Sequence, residues 1–131
     1  MRRLLLVGHG SLAGGFASVL RMLVGNRPDI LSCDLAEGMA VDDYVAQLRQ
    51  TIALVGEGDS LFVVGDVIGG TALNCAVGVL RECGLLERAI IFGGMNLPML
   101  LTAVMQPEDD DATLAREMLS QGSSAVRLLE P

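Results

Sequence analysis

The chain has no tryptophan, one tyrosine and three phenylalanines. It is also poor in positive charge, with nine Lys plus Arg against 16 Asp plus Glu and a formal charge of −7. A nucleic-acid binder shows the opposite, a basic footprint interleaved with aromatic rings on which bases stack. An acidic surface suits a basic protein partner instead. The three cysteines, Cys33, Cys75 and Cys83, form no Cys-x-x-Cys pair and no metal-ligand cluster. Their odd number fits a reducing, cytoplasmic setting, and all three read as small buried hydrophobes. No apolar run approaches the roughly 20 residues of a membrane-spanning helix. Only four apolar residues separate Arg3 from Gly8, too few for the core of a secretory signal.

What is present is aliphatic. Hydrophobic residues make up 51% of the chain, and the mean hydropathy of +0.51 points to strands buried on both faces. A length of 131 residues suits one domain, residues 1–131, with a real core. Short apolar runs closed by glycine alternate with helical periodicity. The first strand covers residues 3–8. Leu12, Phe16, Val19, Leu20, Leu23 and Val24 then recur at helical spacing until Gly25-Asn26, with Pro28 beyond. Residues 30–34 read as a second strand. Val41, Val45, Leu48, Ile52 and Val55 mark the next helix, with Asp42 and Asp43 in its first turn and Gly56 and Gly58 as its stop.

Residues 60–64 are a buried strand that runs out at Gly65-Asp66. Leu73, Ala76, Val77 and Leu80 form a third helix face ended by Gly84, and residues 89–92 a fourth strand. Pro98 suits the start of a helix over residues 97–105. The acids 109–111 precede a last helix over residues 112–119, which Gly122 stops. Residues 125–129 read as a final short strand. This order predicts an α/β fold: a mainly parallel open sheet with helices on both faces and a C-terminal edge strand.

The only histidine, His9, falls where the first strand ends. In open α/β sheets, ligands bind beyond the carboxyl ends of strands. A lone histidine is usually an ordinary loop or core residue, but a second reactive group, Asp66, ends the third strand in the same way. If the two strands are neighbours, both side chains emerge at one edge. A carboxylate that accepts from one imidazole nitrogen fixes the tautomer and leaves the other nitrogen its lone pair. Gly69-Gly70-Thr71 then opens a helix, where bare backbone and free N–H groups suit an anion. Thr71 is placed either to cap that helix or to donate its hydroxyl to an oxyanion. The loop is neither a Walker loop nor a GxGxxG loop. Together these residues supply a nucleophile, an orienter and an anion cradle.

His9-Gly10, Asp66 with Gly69-Gly70-Thr71 and Asn74, and the run from Gly94 through Met95, Asn96, Leu97, Pro98, Met99 and Leu100 resemble the IIA component of the mannose family of the bacterial phosphotransferase system. The resemblance spans almost the whole chain in order. It implies a phosphotransferase component whose histidine, here His9, accepts a phosphoryl group on Nε2 from the phosphocarrier HPr and passes it to a IIB component for sugar uptake. The membrane IIC and IID components take part indirectly. Asp66 matches the family's partner aspartate, and Gly10, Gly69, Gly70 and Thr71 would hold the phosphoryl oxygens. No cofactor or metal is implied, and the resemblance further implies a homodimer, with the C-terminal edge strand antiparallel or, as in some members, exchanged in the dimer.

Two positions depart from the pattern. Ile68 replaces an aromatic residue before the glycine pair and Ala72 a proline after the hydroxyl residue, which alters docking contacts and helix-start rigidity but leaves the polar set intact. Ser11 reads as an N-cap of the first helix and Asn96 as a turn brace; Met95, Met99 and Met105 read as core or interface filler. The alternative is a regulatory phosphohistidine domain, such as a dihydroxyacetone kinase phosphodonor subunit. The chain ends at Pro131 without a IIB-like or DNA-binding extension, which favours a stand-alone carrier. A flavodoxin-like ligand module ranks last, because the glycines lack aromatic or ribose-binding partners.

Overall fold

The four runs read as strands all become strands, and three of them are apolar stretches closed by glycine, because aliphatic stretches of this length bury both faces only inside a layered sheet. The computed structural model describes all residues, Met1–Pro131. Its elements are β1 (Arg2–His9), α1 (Leu12–Val24), β2 (Ile30–Leu35), α2 (Val41–Ile52), β3 (Ser60–Gly65), α3 (Thr71–Glu82), a 3-10 turn at Leu86–Arg88, β4 (Ala89–Phe92), α4 (Leu97–Met105) and α5 (Asp111–Ser124). Residues Met1–Gly94 and Met95–Pro131 make two compact units.

In the first unit the strands are all parallel, in the order β2-β1-β3-β4. The chain leaves β1 toward β2, then crosses back to β3 on the other side. The direction of winding therefore reverses between β1 and β3, a topological switch point. Side chains alternate across the sheet. Leu5 and Val7 join Tyr44, Leu48, Leu73 and Leu80 in the core beneath α2 and α3. Leu4 and Leu6 are equally buried on the opposite face, where α1 packs on β1 and β2.

Two helix faces differ from expectation. The deeply buried residues of α1 are Ala13, Ala17 and Leu20, while Leu12 and Leu23 are exposed. Small alanines bring the helix close to the sheet, and a count of large apolar residues overlooks them. On α2 the buried stripe is Tyr44, Leu48 and Ile52, with Val41 exposed. Tyr44 is 0% exposed, and its hydroxyl donates to the Ala72 carbonyl at 2.9 Å. Burial pushes its phenol well above the ordinary range. Of the cysteines, Cys33 is buried, Cys75 half-buried and Cys83 exposed, so the uniform expectation of burial fails at Cys83, just past the end of α3.

In the second unit, α4 and α5 pack on each other. Asn96 is the N-cap of α4: its Oδ1 accepts from the Met99 N–H at 3.1 Å and its Nδ2 donates to the Gly122 carbonyl at 2.9 Å. Gly122 does not stop α5. It is the buried contact point, where a Cβ would stand 3.0 Å from Met99 Cβ, and the helix runs on to Ser124. Asp110 caps α5, accepting from the Thr113 N–H at 2.7 Å, so the acidic run serves a helix start as expected. Met95 and Met99 are buried and Met105 is exposed. Residues 125–131 form no strand within this chain, and Val126, Leu128 and Leu129 are 83–88% exposed. A short apolar segment pairs only when a partner edge is presented to it.

Replacing Tyr44 by Phe is expected to lower the unfolding free energy by about 1 kcal/mol. Urea denaturation measures it, and an unchanged midpoint with an unchanged slope would remove the Tyr44 hydroxyl from the stability account.

Candidate functional site

The strand register brings the two reactive residues together. β1 and β3 are hydrogen-bonded neighbours with Val7 opposite Gly65, so Gly8-His9 and Asp66 follow at the same edge of the sheet. The Asp66 carboxylate spans the gap. Its Oδ2 accepts from the His9 backbone N–H at 2.9 Å and lies 2.8 Å from His9 Nδ1, while its Oδ1 accepts from the Val67 N–H at 2.9 Å. Partial burial would raise the Asp66 pKa, but the His9 amide, the His9 ring and the Val67 amide outweigh it, and the net direction is down. An ionised carboxylate only accepts, so Nδ1 must carry the proton. Nε2 then holds a free lone pair in the neutral ring, and it has no hydrogen-bond partner within the protein. The side chain is 45% exposed, so the ring is oriented but reachable.

The opening of α3 lies against this ring. A Cβ on Gly70 would stand 2.9 Å from His9 Cε1, the carbon between the two nitrogens, and 2.8 Å from Val67 Cγ1. Only glycine lets the backbone come so near. Gly69, at φ +86°, makes the turn into the helix in a conformation that L side chains resist. Asn74 Nδ2 donates to the Gly69 carbonyl at 3.3 Å and steadies the loop. The N-cap of α3 is Gly70 and not Thr71; no side chain caps this helix and no acid stands in its first turn. Thr71 is exposed in the first helical turn. Val67 and Ile68, exposed at 50% and 78%, form an apolar shoulder beside the histidine. Ile68 is seated on Gly93, where a Cβ would stand 2.1 Å from Ile68 Cγ1.

On the other side of β1, Gly10 turns the chain at φ +63° and its N–H donates to the Leu35 carbonyl at 2.8 Å. Ser11 occupies the N-cap position of α1 as expected, but its hydroxyl makes no capping bond. The orphan amide of Gly14 instead donates to Asp34 Oδ1 at 2.9 Å. Glycine inside a helix costs roughly 1 kcal/mol against alanine. At Gly14 the reason is visible: a Cβ would stand 2.7 Å from Asp34 Oδ2. Asp34 was legible only as a strand end; its role needs the adjacency of β1 and β2. Asn96 is a helix cap within the second unit. No group of three or more His, Cys, Asp or Glu side chains is placed to hold a metal ion.

A doubly wound parallel sheet with a carboxylate-held histidine at its switch point, facing an uncapped helix start, defines a class of α/β protein that holds one oriented imidazole at its sheet edge. The family model for EIIA-man, the PTS system fructose IIA component, matches residues 3–119. The chain belongs to this phosphotransferase system IIA family. Solved structures agree in fold. The phosphotransferase system component EIIA from Streptococcus agalactiae is 21% identical, with a TM-score of 0.81 over 97% of this chain and 96% of that one. The PTS IIA protein associated with the fucose utilization operon from Streptococcus pneumoniae is 19% identical, with a TM-score of 0.83 over 97% and 92%. The mannose/sorbose specific IIA subunit from Enterococcus faecalis is 24% identical, with a TM-score of 0.73 over 99% and 96%. No curated protein matches significantly.

The Asp66 geometry has a pH signature. A carboxylate whose folded pKa is depressed stabilises the fold above its unfolded pKa, about 3.9, and loses that contribution as pH falls through the folded value. The wild type is therefore expected to be more stable than Asp66→Asn near neutral pH, with the gap closing in acid. Urea midpoints of both proteins across that range test this, and a gap that is constant with pH would contradict it.

Proposed function

We propose that this chain is a phosphoryl carrier of a phosphoenolpyruvate-dependent sugar phosphotransferase system. Its family membership supplies the phosphotransferase setting, and the single observation that carries the residue assignment is the 2.8 Å contact between His9 Nδ1 and Asp66 Oδ2 at the switch point. In this reading the Nε2 lone pair attacks the phosphorus of phospho-HPr. The P–Nε2 bond forms as the bond to the donor breaks, and Nδ1 keeps its proton throughout. The ring is then substituted on both nitrogens and cationic, and the adjacent Asp66 carboxylate stabilises that cation. A nucleophile on the IIB component next attacks the phosphorus, the P–Nε2 bond breaks, and neutral His9 is restored.

Phosphoryl transfer depends on positioning and charge stabilisation. The phosphoryl oxygens would lie over the amides of Gly69 and Thr71, with the Thr71 hydroxyl as a further donor; the Gly10 and Gly70 N–H groups, expected from the sequence to share this role, are already donated to the Leu35 and Val67 carbonyls at 2.8 and 3.3 Å. The absence of any acid or side-chain cap in the first turn of α3 supports this, since its amides and dipole are left to an anionic group. The exposed pair Val67 and Ile68 supplies apolar contact for the docking protein. No helix is long and apolar enough to cross a membrane, which accords with a carrier that shuttles between partners in the cytoplasm. The carrier handles only the phosphoryl group, so sugar choice resides in its IIC and IID partners. We further propose that the exposed segment 125–131 pairs with a second copy in a homodimer.

Incubation with phosphoenolpyruvate, Enzyme I and HPr is expected to place one acid-labile phosphoryl group on the wild type and none on His9→Ala. Labelling that survives His9→Ala would overturn the assignment. Asp66→Ala should fold yet transfer on the order of 10²-fold more slowly; an unchanged rate would remove Asp66 from the mechanism. A chain truncated after Ser124 should sediment as a monomer where the full chain is a dimer, and an unchanged dimer would argue against an interface made by the tail.

A further inference from the structure

We propose that Asp34 is a positioning residue for transfer at His9, acting through the first turn of α1; the inference rests on the carrier reading. The backbone that follows β1 is held from strands on both sides. The His9 N–H goes to Asp66, the Gly10 N–H to the Leu35 carbonyl and the Gly14 N–H to Asp34 Oδ1. Bonding within α1 takes over at Gly15, whose N–H reaches the Ser11 carbonyl at 2.9 Å.

Asp34 thus performs the office of an N-cap side chain, but from β2. A local cap at Ser11 would stabilise the helix without fixing its place. A cap from the neighbouring strand fixes the helix start relative to the sheet, and with it the turn at Gly10 and Ser11. That turn has little stiffness of its own, because Gly10 populates left- and right-handed conformations about equally well. Clamps on either side of it, Asp66 on the His9 amide and Asp34 on the Gly14 amide, leave it one geometry. The absent side chain at Gly14 makes the same point independently, since any Cβ there would displace the Asp34 carboxylate. Asp34 has no hydrogen bond to His9, so its effect on Nε2 passes through the backbone. Transfer is sensitive to such placement, because an error of about 1 Å in a reacting atom is worth on the order of 10²-fold in rate.

The test is the rate of His9 phosphorylation over a range of phospho-HPr concentrations, for wild type, Asp34→Ala, Asp34→Asn and Gly14→Ala, each with its urea midpoint. Asp34→Ala and Gly14→Ala are expected to lose about tenfold in kcat, with KM for HPr changed by less than about twofold. Asp34→Asn keeps an Oδ1 acceptor and should restore kcat to within about threefold of wild type. Should Asp34→Ala not fold, Gly14→Ala carries the test, since it keeps every charge. Wild-type kcat in the two alanine variants, a loss confined to KM, or an Asp34→Asn variant as slow as Asp34→Ala would each overturn the inference while leaving the carrier reading in place. A wild type that takes no label overturns the carrier reading and this inference with it.

Discussion

The Asp66 carboxylate organises the upper edge of the sheet. It takes the His9 amide and the His9 ring on one oxygen and the Val67 amide on the other. One group therefore ends β1, sets the tautomer of the imidazole and starts the loop that leads to α3. The same three donors explain how a half-sequestered carboxylate stays ionised, since the cost of drying it is outweighed by N–H dipoles aimed at its charge. Loop geometry and ring chemistry rest on a single charge, and neither can be altered without the other.

The opposite edge uses a related device for a different end. The Asp59 carboxylate gathers the Met1 ammonium, the Gly56 amide and the Arg3 guanidinium, which together hold it well below the ordinary carboxylate range. Arg88 donates to the carbonyls of Gly56, Glu57 and Asp59. Cationic side chains lock that rim from outside, and nothing there needs to be bare backbone. At the upper rim the clamps are carboxylates on amides, Gly70 keeps the space beside the imidazole clear, and Gly10 and Gly69 supply turns at positive φ.

Much of this was readable in advance where one residue type has one physical use. A continuous aliphatic run closed by glycine has few alternatives to a buried strand, and residues 60–64 and 89–92 fall within or on the observed strands. His9 and Asp66 were legible as a pair because each follows a glycine at the end of such a run. What stayed hidden depends on neighbours that linear order does not reveal. Ala13 and Ala17 are buried because α1 sits close on the sheet, and Tyr44 because its hydroxyl finds the Ala72 carbonyl. Asp34 matters only once β2 lies beside β1. Gly122 resembled a stop because glycine often ends helices, yet here it admits Met99 and Asn96. The segment 125–129 has the composition of a strand, yet it forms none within this chain.

The His9 to Asp66 contact closes a separation of 57 residues along the chain. Before β3 has been made and laid beside β1, the imidazole is an ordinary flexible side chain with neither tautomer nor orientation imposed on it. The oriented ring thus depends on the non-local pairing of β1 with β3 at the sheet centre, and a chain without that pairing has no prepared imidazole. In the proposed carrier role, phosphoryl groups would then be accepted only by chains whose two central strands are already paired.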